Sequence, residues 1–266
     1  VIKWAVANQK GGVGKTTTVV NLGGCLCAEN ARTLLIDMDP HGSMTAYFGL
    51  DPDSIENSLY QLFRKESSQT PLSVKELVIQ TKFENLFLLP ASTAMATLDR
   101  QLGAKEGMGL VLLQALQAVE QQFDYAIIDC PPQLGILMVN ALAACEHLII
   151  PVQTEFLALK GLERMMRTLL MVGKALQKDL QYTILPTMYD VRTRASRTTL
   201  KKLQETYPTT LWNKVVPVDT LFREASRLGV PLTLRVPNDR GSQAYAELLH
   251  DLRQELQLPS VQLKHG

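Results

Sequence analysis

The chain predicts an α/β fold: a doubly wound, mostly parallel sheet flanked by helices. Three observations lead there. Short apolar runs alternate with stretches of helical periodicity along the chain. Several of those runs are apolar at every position, as strands buried on both faces must be. A glycine-rich turn joins the first run directly to the first helical stretch. The 266 residues are 46% hydrophobic, enough to bury one core of this kind. No linker-like segment divides them, so residues 1–266 read as a single domain.

In order along the chain, strands are expected at residues 4–7, 33–37, 86–90, 125–129, 147–152, 182–187 and 214–217. Helices are expected at 15–29, 109–122, 135–144, 159–177, 193–207, 220–228 and 242–257. Residues 51–71 mix Ser, Gln, Asn and charge and read as a short helix and a loop. The opening run, Val1 to Ala7, lacks a basic segment followed by an apolar one, so it reads as a strand and not as a secretory signal. No apolar run reaches the ~20 residues of a membrane span. Net charge is +1, which removes any global field for nucleic acid and leaves only local patches to bind it. Four cysteines (Cys25, Cys27, Cys130, Cys145) form no C-x-x-C pair, and with four scattered histidines they outline no metal cluster. Reduced thiols and a cytoplasmic location are the expectation.

The strongest chemical signal is Lys10-Gly11-Gly12-Val13-Gly14-Lys15-Thr16-Thr17. It follows a strand and opens a helix, the setting that a phosphate-binding P-loop requires. Glycines let main-chain N–H groups turn inward around phosphate oxygens, and the helix N-terminus adds positive potential there. Lys15 is placed for the β- and γ-phosphates of ATP, Thr16 for Mg²⁺ and Thr17 for the α-phosphate. A second lysine, Lys10, opens the loop. One phosphate site has no evident need of two ammonium groups from one chain; Lys10 is either a solvated lysine at a strand end or a cation that crosses to the nucleotide of a facing subunit.

Two apolar strands end in carboxylates. The first leads into Asp37-Met38-Asp39-Pro40, at the strand ends that face the ligand crevice of a parallel sheet. Asp39 is positioned there to orient an attacking water. Asp37 supports the Mg²⁺ shell or the loop. The second ends in Asp129-Cys130-Pro131-Pro132, a Walker B position in which Asp129 accepts from Mg²⁺-bound water. The prolines bar a helix from starting directly after it.

These residues resemble the deviant Walker A motif, K-G-G-V-G-K-T-T, of the ParA/MinD family of partition and positioning ATPases. The stretch from Asp37 to Gly42 is similar to that family's D-x-D-P-Q-G, with His41 where Gln is usual, and the segment after Asp129 is similar to its D-x-P-P. Thr187-Met188-Tyr189-Asp190-Val191-Arg192-Thr193 and Pro217-Val218-Asp219 continue the resemblance, which covers nearly the whole chain apart from about residues 51–104. It implies a P-loop ATPase in which Lys10 acts across an ATP-sandwich homodimer. It also places Pro217 and Asp219 around adenine, with Asp190 near the base; a turn cap is the competing reading for both acids.

The resemblance further implies a closed dimer that holds nucleoid DNA without reading sequence, and a cargo-linked protein that stimulates slow hydrolysis. The residues offered for DNA phosphates are Arg192, Arg194, Arg197, Lys201, Arg223 and Arg227, against an ordinary solvated helix face. Val218 and Leu221 stand where chromosomal members usually carry arginine. The tail from Gln257 contains Pro259 and little charge on one face, unlike the basic amphipathic helix of membrane-riding members, so membrane binding is not expected. No helix-turn-helix pattern precedes the loop, and operator-specific repression is not expected either. Two alternatives stand beside DNA partition: a ParC-like positioning ATPase of chemotaxis clusters, acting through protein partners, and a P-loop ATPase of metallocluster or cofactor assembly.

Overall fold

The computed structural model describes residues 1–64, 73–102 and 107–258. The tail at 259–266, the end of the 51–71 segment and residues 103–106 lie outside them. Among the described residues seven strands, β1 (Ile2–Val6), β2 (Thr33–Asp37), β3 (Ile79–Gln80), β4 (Leu86–Leu89), β5 (Tyr125–Asp129), β6 (His147–Gln153) and β7 (Tyr182–Thr187), form one sheet in the order β3-β4-β2-β5-β1-β6-β7. All neighbours are parallel except the edge pair β3/β4.

Helices cover both faces: α1 (Lys15–Ala28), α2 (Ser43–Tyr47), α3 (Tyr60–Phe63), α4 (Val74–Leu77), α5 (Leu98–Leu102), α6 (Val111–Gln117), α7 (Ile136–Ala144), α8 (Ala158–Leu176), α9 (Arg194–Thr206), α10 (Leu221–Leu228), α11 (Leu232–Arg235) and α12 (Arg240–Glu255). The strand period of two divides each strand between two cores. Trp4, Val6, Leu35 and Ile127 pack with α1 and α12, whereas Ala5, Leu34, Ile36, Ala126 and Ile128 pack with α6, α7 and α8. Because β1, β2 and β5 are covered on both sides, nearly every side chain in them is buried, which is why they read as unbroken apolar runs.

Six of the seven expected strands are present. The seventh, at 214–217, is corrected: the chain from Leu211 to Pro217 touches the sheet at two isolated bridges, Ile184 with Leu211 and Tyr189 with Pro217. A bend at Asn213-Lys214 separates them, and between them Pro186 of β7 has no N–H to give; its carbonyl accepts Val216 N at 2.8 Å. The antiparallel β3 has two residues, too few to show a period. The helix expected at 109–122 is trimmed to α6, preceded by a 3₁₀ turn at Met108–Leu110 and followed by turns.

The order places β1 centrally, between β5 and β6. The chain leaves β1 towards β2 on one side and later fills β6 and β7 on the other, so a crevice opens beyond the C-terminal ends of β1 and its neighbours. Val6 lies opposite Asp129, and Asp129 opposite Asp37, so the loops after β1, β2 and β5 converge there.

Candidate nucleotide-binding site

The loop from Asn8 to Gly14 is fixed at both ends. Buried Asn8 donates from Nδ2 to the Pro151 carbonyl (2.8 Å) and accepts the Lys10 amide on Oδ1 (2.9 Å). Val13 is buried, and its carbonyl accepts from Thr187 Oγ1 at 2.9 Å, which ties the loop to the end of β7. Gly12 (φ 72°) and Gly14 (φ 92°) hold left-handed backbone that a side chain would strain. Gly14 is also the N-cap of α1 and brings no side-chain acceptor. The first intrahelical bond is Thr18 N to Gly14 O, so the amides that open α1, at Lys15, Thr16 and Thr17, have no acceptor within the helix. A helix start left uncapped in this way, inside a crevice, is an anion site. Gly11 has open space on its Cβ side. Lys15 is buried, with Nζ 3.5 Å from the Lys10 carbonyl, over the inner side of the loop.

Beneath the loop lies a group of acids. Thr16 Oγ1 donates to Asp129 Oδ2 at 2.5 Å, while Asp129 Oδ1 is buried without a partner. Burial first, and then the neighbouring Asp37, push the Asp129 carboxyl well above the ordinary range; the Thr16 bond and the Lys15 charge pull the other way. Asp37 is fully buried and held by three donors: Thr45 N (2.8 Å), Thr45 Oγ1 (2.7 Å) and Asp39 N (3.2 Å). Its pKa rises to about 6, again chiefly through burial. These bonds make Asp37 a brace for the loop and a cap for the start of α2, the structural readings of this residue. An unpartnered carboxylate oxygen beside a threonine hydroxyl is hard oxygen chemistry, and Mg²⁺ fits it. Among the described residues no three His, Cys, Asp or Glu side chains could hold a metal by themselves, so such an ion would need phosphate and water oxygens as well.

Asp39 follows on the loop after β2. Its Oδ1 accepts from His41 N (3.0 Å) and from His41 Nδ1 (2.8 Å). Its side chain is 15% exposed, against 70% for His41. On the opposite side of the loop a cavity of about 550 Å³ is lined by Gly14, Thr17, Met188, Pro217, Asp219 and Tyr245, among others. That volume suits a nucleoside. Asp219 Oδ1 accepts the Leu221 amide (2.9 Å), the turn-cap role, and Asp190 is held by Arg192. Sequence reasoning missed Phe222 and Tyr245, which meet edge to face beside this cavity at a centroid separation of 5.8 Å. It also missed Gln153 and Thr187 as lining residues, at the ends of β6 and β7. The tyrosine hydroxyl shares a 3.0 Å hydrogen bond with Thr18 of α1. The one available signal is Tyr245 at an inward register position of the last helix. Met188 lines the cavity with φ 51°, uncommon for a residue with a side chain.

Lys10 does not turn onto its own loop. Its ammonium pairs with Glu155, on the turn after β6, a residue the sequence does not single out. Both side chains are partly exposed, 33% and 40%. The next two residues, Phe156 (83% exposed) and Leu157 (56%), are apolar and uncovered in the single chain. The basic residues are surface groups. Arg194, Arg197 and Lys201 share the exposed side of α9, with Arg197 Nη1 on the Val191 carbonyl (2.8 Å) and Lys201 3.9 Å from Glu205. Arg192 is engaged bidentately by Asp190 (2.9 and 2.8 Å), and its guanidinium holds that carboxyl down to about 2. Arg223 borders the nucleoside-sized cavity, while Arg227 borders a separate hollow between α2 and α10. All four cysteines are free thiols; burial raises each of them, so none is a ready thiolate. Among the described residues no helix is long and apolar enough to cross a membrane.

Proteins of known kind resemble this chain along most of its length. The family model described as an AAA domain matches residues 2–182. The sporulation initiation inhibitor protein Soj of Bacillus subtilis is 37% identical over 93% of this chain and 96% of its own length. The chromosome partitioning protein ParA of Myxococcus xanthus is 33% identical over 93% of this chain and 86% of its own. Among solved structures, cobyrinic acid a,c-diamide synthase of Mycobacterium smegmatis, with bound ATP analog and magnesium, superposes with a TM-score of 0.82 at 32% identity, covering 98% of each chain. By its glycine loop, its sheet order and these relatives, the chain belongs to the ParA/MinD family of P-loop ATPases.

Proposed function

We propose that this chain is an ATP-dependent positioning ATPase whose ATP-bound form is a homodimer that holds DNA without reading sequence. The observation that carries the reading is the uncapped start of α1 above the Thr16–Asp129 pair, with a second loop lysine standing apart from that chain's own phosphate cradle. The amides of Gly11, Gly12, Val13, Gly14, Lys15, Thr16 and Thr17 and the Lys15 ammonium bind the phosphates. Thr16 and Asp129 would hold Mg²⁺, which would supply charge neutralisation to the phosphates. Asp39 orients the attacking water. Pro217, Asp219 and the neighbouring aromatic pair take the nucleoside. Kinship with Soj, ParA and the nucleotide-bound synthase supports this assignment.

Lys10 exchanges Glu155 for the nucleotide of a second copy. An ion pair this exposed is worth only ~0–1 kcal/mol, so a triphosphate readily displaces it. The uncovered Phe156 and Leu157 lie beside it, where a second copy would bury them. Arg194, Arg197 and Lys201 on α9 supply the DNA-binding charge, with Arg223 and Arg227 of α10 as further cations. Hydrolysis, speeded by a cargo-linked protein, reopens the dimer. The working place is the bacterial cytoplasm, on the nucleoid. Cofactor assembly is the second reading, favoured by the likeness to the cobyrinic acid enzyme.

Retention on random-sequence DNA separates the two readings. The partition reading predicts retention that needs ATP and Mg²⁺ and falls steeply with salt. Each of Arg194→Ala, Arg197→Ala and Lys201→Ala should reduce the salt slope by about one, the effect of one cation fewer on the phosphates. No retention at low salt with ATP present would overturn the DNA assignment.

A further inference from the structure

We infer that His41 is a positioning residue for hydrolysis: its imidazole fixes which oxygen of Asp39 meets the attacking water. This rests on the reading of Asp39 given above. The geometry is specific. One carboxylate oxygen, Oδ1, takes both donors of His41, the main-chain amide at 3.0 Å and ring Nδ1 at 2.8 Å. A carboxylate only accepts, so Nδ1 carries the proton in this bond. Oδ2 is left as the oxygen available to a water. The main-chain bond alone makes an Asx-type turn and lets the carboxylate swing; the ring bond adds a second anchor on the same atom and biases the rotation.

The ring is not placed by packing, because it is 70% exposed. It lines an open hollow of about 530 Å³ with Pro40, Thr93, Pro131 and Gln133, on the side where the loops after β2 and β5 face each other. What holds it is the bond to Asp39. The rest of this loop is pinned independently: Gly42 N reaches the Asp39 carbonyl at 2.8 Å, and Asp37 braces Asp39 N and α2. Removing the ring therefore frees the Asp39 side chain and leaves the backbone in place. The expected signature is a fall in kcat at constant KM and constant ATP affinity, since the ring touches no part of the proposed phosphate cradle or nucleoside cavity.

Turnover of Mg-ATP by variants of the full chain tests this. His41→Ala should lower kcat roughly 3- to 10-fold, the loss of one water-accessible, charge-assisted hydrogen bond. His41→Asn, whose Nδ2 stands near the Nδ1 position, should recover most of that loss. His41→Gln, which mimics the far nitrogen, should not. Adding His41→Ala to Asp39→Ala should cost nothing further, because the ring acts only through that carboxylate. Equal kcat in His41→Ala and the parent, with Asp39→Ala inactive, would overturn the role of His41 and leave that of Asp39 standing. An active Asp39→Ala would overturn both. A rise in KM with kcat unchanged would make His41 a binding residue and refute the positioning role.

Discussion

The loop end of the sheet and the outer side of α9 both carry charge, and they hold it in opposite ways. At the loop end Asp37, Asp129 and Lys15 are buried, each fixed by named neighbours, and two of the acids are pushed above their ordinary range. On α9 and the turn before it the cations are solvated and share their surface with Glu205 and Asp190. Buried charge is costly unless something answers it, so its arrangement is dictated and points to a ligand. Exposed charge is cheap, and the same arginines fit a DNA-binding face or an ordinary solvated helix. The proposed nucleotide site thus rests on buried, interlocked charge, and the proposed DNA face on exposed charge whose signature is salt-dependent retention.

The largest expected effect breaks the buried side of the comparison. Lys15→Ala removes the buried cation over the inner side of the loop and should abolish ATP binding by calorimetry, a loss of at least ~100-fold in affinity. Retained tight binding would refute the site. A second test asks whether burial itself, away from the ligand, behaves as the loop end does. His147 starts β6, is buried against Thr183 (2.8 Å), and is lowered by burial from 6.5 to about 4. The unfolded chain thus binds the extra proton between those values, and stability is lost as pH falls from 6.5 to about 4. The full shift corresponds to about 3 kcal/mol. His147→Gln, which keeps a polar group near Thr183, should flatten the fall of Tm across that interval; parallel curves for the two proteins would contradict it. Asp37 works in the reverse direction: its folded pKa is raised, so its charging destabilises the nucleotide-free chain as pH rises from about 4 to about 6. The smallest effects belong to α9, where single arginine changes should leave ATP binding untouched and alter only the salt dependence of DNA retention.

Legibility in the sequence divides along the same line. Strands β1, β2 and β5 are plain because burial on both faces leaves few polar positions to blur them. The loop residues are plain because glycine, lysine and threonine in that order serve one chemistry. The two-residue β3 carries no period, and the segment at 214–217 looks like a strand because it is largely apolar, although a bend and the facing Pro186 of β7 deny it a ladder. The Lys10–Glu155 pair and the His41–Asp39 bond are opaque for a different reason. Both depend on where a side chain meets a partner: one is distant in sequence, 145 residues from Lys10, and the other is local but reached through a turn. Asp219 lies at the cavity rim, and its observed bond, to the Leu221 amide two residues on, is the turn cap that the sequence already offers as the competing reading.

In the proposed cycle two copies close over ATP and Lys10 of each serves the other. The mass of Asp39→Ala with Mg-ATP, by light scattering, tests it most directly when set beside the double variant Asp39→Ala, Lys10→Ala. A dimer is predicted for the first and a monomer for the second, with both binding ATP. A monomer in both, or a dimer that survives the loss of Lys10, would contradict it.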